Sequence, residues 1–263
     1  MQIFIFEIKR QLSDILLWTA IVCVVLVLMI YGFYPIFLDS RPAVEQMLSA
    51  MPEGFAAAFG LNVDDLFSYQ SFSSMVYLYE SLLGSIMAAK TAVAVFGREK
   101  QNQCQDFLFS KPVSRKSIFI QKLMCCAVSM LIVSIPYVIL FIGGYYHYTE
   151  SVQITSSLLL SAVGMPLTMI LFTAIGITAA VFLHRIRSAS GMGTGIGLAA
   201  FLLSVLYSLT ERDFFKYISP LSYFNPSEVA RFAHFDPICI GLALLIICGL
   251  GMASYIRCIK EDV

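Results

Sequence analysis

The chain has 263 residues, 59% of them hydrophobic and only 13% charged, where an ordinary soluble domain has roughly 45–50% apolar and about 25% charged residues. This excludes a water-facing globular fold and predicts an all-α, polytopic membrane protein forming a single domain over 1–263. The formal net charge of zero says nothing about partners, so only the placement of charge is informative, and no nucleic-acid partner is expected.

Residues 2–14 are amphipathic. Glu7, Arg10, Gln11 and Asp14 share one helical face, and Ile5, Ile8, Leu12 and Ile15 share another. The pattern predicts a short helix lying in the cytoplasmic interface and bending into a first span at 15–37. That apolar run is too long for a signal-peptide h-region and no small-x-small site follows it, so no cleaved leader is expected. The outer segment 39–70 is too polar for lipid but keeps helical spacing at Val44, Met47, Leu48 and Met51, with Pro42 suited to a first turn. A second run from Phe55 to Phe59 ends at Gly60, a good terminator. One or two amphipathic helices on the outer surface are expected.

A second span at 72–96 carries Glu80 and Lys90. The stretch 97–122, GREKQNQCQDFLFSKPVSRKSIFIQK, is the longest polar, basic interval between two apolar spans. Cys104, Phe107 and Leu108 recur at i, i+3 and i+4, which predicts a short helix presenting an apolar knob between charged flanks. Pro112 stops that helix, and Ser114 is placed to cap the next one. A basic loop that is merely solvated has no use for apolar residues at Phe107, Leu108 and Phe109, whereas a helix inserting into a groove of a soluble partner does. Further spans follow at 123–146, 154–183, 191–209 and 237–256. Pro166 marks a tilt or kink in the fourth, and 210–236 forms a second outer segment.

Orientation follows from basic residues near the span ends. Lys9, Arg10, Arg98, Lys100, Lys111, Arg115, Lys116, Lys122, Arg185, Arg187, Arg257 and Lys260 fall on one side. Arg41, Arg212, Lys216 and Arg231 fall on the other. Twelve against four predicts both termini inside, and an even count of six spans agrees.

No GxxxxGK[ST] loop, HExxH or GxSxG occurs, so an enzymatic role has no constellation to stand on. His147, His184 and His234 are far apart in sequence, and the cysteines (Cys23, Cys104, Cys125, Cys126, Cys239, Cys248 and Cys258) form no CxxC pair. No metal site or disulfide framework is expected. Gly191, Gly193, Gly195 and Gly197 make two interleaved small-xxx-small pairs at the start of a span, which predict close helix packing rather than phosphate binding. Glu80 is the acidic residue well inside a span. With Tyr77 it is a candidate for the translocation pathway. A protonated carboxyl bonded to a neighbouring helix, or a shallow position near the outer interface, are the alternatives. Lys90 is expected to snorkel toward the cytoplasm.

The segment Glu99-Lys100, Asp106-Phe107-Leu108 and Lys111-Pro112-Val113-Ser114-Arg115-Lys116-Ser117-Ile118 with Lys122 resembles the first cytoplasmic loop of ABC-2-type (type V) ABC exporter permeases. The pattern there is approximately E(K/R)xxGTxExLLxxPVSRxxIxxxK. The chain departs from it at Gln103-Cys104, where Gly-Thr is usual, at Asp106 for Glu and at Phe107 for Leu. The outer stretches Met51-Pro52-Glu53-Gly54-Phe55 with Phe59-Gly60-Leu61, and Ile218-Ser219-Pro220-Leu221, are also similar to that family. The resemblance implies a permease subunit of an exporter, in a family whose substrates include lipids, glycans, peptides and ions, and the richness of the spans in Phe, Met and Tyr points to an apolar or amphipathic cargo. Two separate ABC ATP-binding subunits would bind the ATP and Mg, this chain itself holding no cofactor, and a second, identical or paralogous permease would complete the assembly. It makes 97–122 the coupling element, with Glu99, Cys104, Asp106, Phe107, Leu108, Pro112, Val113, Ser114 and Arg115 as the residues at the ATPase. Two other classes remain open from the residues alone: an ion-coupled secondary transporter relaying through Glu80 and Lys90, and a membrane anchor or sensor recruiting a soluble partner.

Overall fold

A computed structural model describes residues 2–49, 67–101, 114–149, 156–183, 185–210, 213–225, 229 and 234–260. The helices are α1 (Gln2–Val27), α2 (Tyr34–Asp39), α3 (Arg41–Ser49), α4 (Tyr69–Phe96), α5 (Arg98–Gln101), α6 (Arg115–Tyr148), α7 (Ser156–Phe182), α8 (Ala189–Thr210), α9 (Asp213–Ile218) and α10 (Pro237–Lys260). Among the described residues, six helices are long and apolar enough to cross a membrane. Because the spans alternate in direction, one end of the bundle gathers the start of α1 and the end of α10. This is called the terminal end below, and the opposite end the far end.

The expected separate helix over 2–14 is not present. α1 runs without interruption from Gln2 to Val27 and passes through π turns at Leu28–Phe33 into α2. Pro35, in the first turn of α2, lacks an N–H and its ring crowds the carbonyl four residues back, and the backbone widens just upstream of it. The resulting span of 37 residues is roughly 55 Å long at 1.5 Å per residue, well beyond a hydrocarbon core of about 30 Å. The polar face of residues 7–14 also points the other way from an interfacial helix. Glu7 and Gln11 are buried while Ile5 and Leu12 are exposed, so part of the polar face turns into the protein.

α4 and α7 are the central pair. α4 is buried around much of its circumference and meets α1, α6, α7 and α8, while α7 also meets α6 and α10. α1 and α6 lie parallel along their lengths, from Phe4 N–H donating to Gln121 Oε1 at 3.3 Å to Tyr31 beside His147 at 5.4 Å between ring centres. Both Pro136 and Pro166 lie within uninterrupted helices. At the far end, Tyr34, Tyr69, Phe72 and Tyr148 pack their rings together, with Tyr34 and Phe72 centred 4.9 Å apart.

The second outer segment is not a loop lying free over the bundle. After α9 a 3-10 turn at Pro220–Ser222 leads Tyr223 and Phe224 into burial against Leu171 of α7. A Cβ at Gly164 would sit 2.9 Å from the Phe224 carbonyl oxygen, so the absence of a side chain there admits the returning strand of chain. The aromatic residues in this segment explain its placement, since burial of each ring contributes on the order of 1.5–3 kcal/mol.

Candidate functional site

α4 ends at Gly97, whose N–H donates to the Val93 carbonyl at 2.8 Å, and the short helix Arg98–Gln101 follows at once. Its four side chains go to four different elements. Arg98 Nη1 donates to Glu7 Oε2 on α1. Glu99 Oε2 accepts from Lys122 Nζ on α6 at 2.6 Å. Lys100 Nζ donates to the Val181 carbonyl, and to that of Leu183 at 3.3 Å, at the end of α7. Gln101 Nε2 donates to the Arg187 carbonyl, at 3.4 Å, in the turn before α8. The ammonium of Lys100 thus supplies a donor to carbonyls that the helix cannot satisfy itself, and its charge complements the helix dipole.

The second stem begins at Ser114, whose hydroxyl accepts from the Ser117 N–H at 3.3 Å and caps α6, as the sequence predicts. Arg115 Nη1 donates to the Ile259 carbonyl at 3.2 Å in the last turn of α10. Together the two stems hold α1, α6, α7, α10 and the turn into α8 at one end of the bundle. Cys104, Asp106, Phe107, Leu108, Pro112 and Val113, at the tip between the stems, lie outside the described residues, as do Phe55 to Phe59. Of the predicted coupling residues, Glu99, Ser114 and Arg115 are therefore placed, all at this end.

Lys90 does not reach out of the bundle as expected. Its Nζ is 2.6 Å from Asp14 Oδ1 and 5.5 Å from the centre of the Trp18 ring. The carboxylate on the inward face of α1 satisfies the ammonium locally, so no stretch toward water is required. These cross-helix partners, Glu7 with Arg98 and Asp14 with Lys90, were missed by sequence reasoning. The available signal was a run of charge on one face of 7–14 in an otherwise apolar helix, matched by basic residues at the end of the second span.

The glycine pattern divides in two. A Cβ at Gly193 would lie 2.6 Å from the Lys90 backbone, and one at Gly197 would lie 2.4 Å from Ile86 Cγ1, so this pair admits α4 against α8. Gly195 has nothing within 4 Å and Gly191 only Ser188 at 3.6 Å. That second pair, on the opposite side of α8, meets no other helix of this chain among the described residues. Tyr77 and Glu80 are buried on the inner side of α4. Tyr77 shares a hydrogen bond with Thr168 Oγ1 at 3.0 Å, whereas neither oxygen of Glu80 has a partner. Glu80 is thus fully enclosed by the bundle, with no bond from a neighbouring helix among the described residues.

The chain matches the family described as "ABC-2 family transporter protein" over residues 1–236. No curated protein and no solved structure matches it. The matched range contains both stems and five of the spans that the terminal-end contacts tie together. The chain belongs to the ABC-2 transporter family, as a multi-pass membrane permease of the kind that associates with ATP-binding subunits.

Proposed function

We propose that the chain exports an apolar or amphipathic substrate using energy delivered by two separate ATPase subunits, and that 97–122 is where that energy enters. The terminal end then faces the cytoplasm of a bacterial cell, and a second permease, identical or paralogous, completes the assembly. The observation that carries this reading is the set of contacts made by the four residues Arg98–Gln101. A force applied at the tip of the loop passes through one short helix to α1, α6, α7 and the α7–α8 turn at once, and through Arg115 to α10. Side chains that are packed and ion-paired shift between discrete arrangements rather than deforming smoothly, so a small displacement there becomes a helix movement. The basic residues of the same end agree with a cytoplasmic placement.

The cargo class rests on a lateral groove of about 520 Å³ between α6, α7 and α10. Leu123, Met130, Leu131, Ile170, Ile177 and Ile247 are among its walls, and Leu131 and Ile170 are exposed at its rim. An apolar chain leaving the bilayer fits such a surface and a hydrated sugar or ion does not.

The test is co-purification. Leu108→Asp is expected to lose the ATPase while the permease is still inserted in the membrane, and Ile120→Asn, an exposed change in the second stem, to retain it. Full recovery of the ATPase with Leu108→Asp would remove the coupling role from this loop.

A further inference from the structure

In the interior between α4, α6 and α7, both carboxyl oxygens of Glu80, the hydroxyl of Tyr137 and the hydroxyl of Ser161 have no hydrogen-bond partner among the described residues. Glu80 and Tyr137 are 0% exposed and Ser161 is 2% exposed. Buried polar groups are nearly always bonded, so a cluster of exceptions calls for an absent partner such as water. Ser161 opens onto a cavity, and Glu80 and Tyr137 lie further in between the same helices. A polar pocket of about 70 Å³ lies between the same helices at the far end, lined by Tyr69, Gln70, Ser73, Phe141, Ser157 and Ser161 among others. That is room for water, since one molecule needs about 10–15 Å³ measured this way and two or more polar partners.

From this pocket two helices lead inward. On α4, Ser73, Tyr77 and Glu80 follow at spacings of four and three, one face of the helix, with Glu80 roughly 10 Å below Ser73. On α6, Tyr137 lies one turn below Phe141, their rings 5.9 Å apart, and is within electrostatic reach of Glu80, Tyr77 and Tyr69. Cys23 faces Glu80 from α1, and α7 contributes Thr168, Met165 and Met169, none of which titrates at this site. Toward the terminal end the way is shut. Met165 fills the space over Gly84, where a Cβ would meet its methyl at 2.9 Å, and Met87 and Ala88 are fully packed.

We propose that Glu80 is a proton-exchanging site that water reaches from the far-end pocket. In the exchange the carboxyl O–H bond breaks, the proton passes to a water that has entered beside Glu80, forming hydronium, and is relayed through further water to the pocket at the far end. The carboxylate left behind and the Tyr137 hydroxyl, each without a direct partner, are bridged by a water. Ser161 and Gln70 hold the water at the mouth. A metal cation is disfavoured, because a hard ion takes six or more oxygens and Glu80 and Tyr137 together offer three. The site is independent of the cargo and of the ATPase, so its test needs neither.

The experiment is infrared spectroscopy of the full chain in lipid vesicles. A carboxylic acid C=O band at neutral pH is expected in the wild type, absent in Glu80→Gln, and shifted on transfer to D2O. Ser161→Leu, which fills the mouth of the pocket, is expected to slow that shift about tenfold or more by excluding water. Tyr137→Phe keeps the ring and removes the donor, and is expected to make the band persist to higher pH by about one to two units. It also serves where Glu80→Gln does not fold. A band that ignores D2O for hours, a spectrum unchanged by Glu80→Gln, or a band removed by Na⁺ or K⁺ at constant pH would each overturn the proposal.

Discussion

From Lys90 to Gln101, every charged side chain has a partner on another element: Lys90 with Asp14, Arg98 with Glu7, Glu99 with Lys122, and Lys100 with the carbonyls ending α7. About three turns earlier on the same helix, Glu80 is buried as deeply and has none. The two regions differ in what their charge can do. A paired, buried ion stays in one state and fixes which helix faces meet, at little net gain in stability. An unpaired carboxyl is held in an expensive environment and is useful only if its state changes. The contrast is what the two proposals rest on, mechanical connection at the terminal end of α4 and proton exchange in its middle.

The strongest way to break this comparison is to unpair the paired end. Arg98→Ala leaves Glu7, only 3% exposed, without its cation, and such a loss costs about 3–5 kcal/mol. The expected result is a clear fall in the thermal unfolding midpoint in detergent, largely restored when both residues are replaced by Met. A variant that melts with the wild type would mean that this pair does not hold α1 to α5.

A smaller effect sharpens the comparison without touching a charge. Gly193 lies against the backbone of Lys90, so Gly193→Leu must push α4 away from α8, costing about 1–3 kcal/mol by overpacking. Gly195→Leu, with nothing within 4 Å of where its Cβ would stand, is expected to be close to neutral. Equal melting of the two variants would show that α8 does not seat α4 through the Gly193 face.

The smallest effect concerns a pair near water. Lys216 Nζ donates to Asp236 Oδ2 at 2.8 Å, and this bond holds the Asp236 carboxyl below the usual carboxylate range, against the opposing pull of burial. The folded chain therefore binds that proton more weakly than the unfolded chain. The stabilisation is complete above the ordinary carboxylate value of about 3.9 and is lost as pH falls through the lowered one. Lys216→Met is expected to lower stability at neutral pH by up to about 1 kcal/mol and to flatten this acid-side loss. An acid denaturation curve parallel to that of the wild type would exclude the pair as its cause.

Much of this architecture was legible beforehand. All six spans lie close to where hydropathy puts them, and Ser114 caps α6 as its position before an apolar run predicts. The face of 7–14 was read correctly as polar and wrongly as solvent-facing. Lipid and protein interior are both apolar, so an amphipathic stripe does not say which side is wet. The same ambiguity made Lys90 look like a snorkelling residue and left both glycine pairs of α8 equally eligible for packing. The family resemblance rested on residues around the loop tip, while the contacts of Arg98, Lys100 and Gln101 emerged only from the assembled helices.

The sequence alone determined that this chain is an all-α membrane protein with six spans, because a hydrocarbon core of about 30 Å demands runs of roughly twenty apolar residues wherever the chain crosses it. Composition and local periodicity carry that requirement fully. Only the tertiary structure decided which charges meet, since Glu7 and Arg98 are 91 residues apart and Arg115 and Ile259 are 144 apart. Coulomb and hydrogen-bond energies depend on a few ångströms of separation, a distance set by helix packing and not by the order of residues. The same packing left Glu80 without a partner.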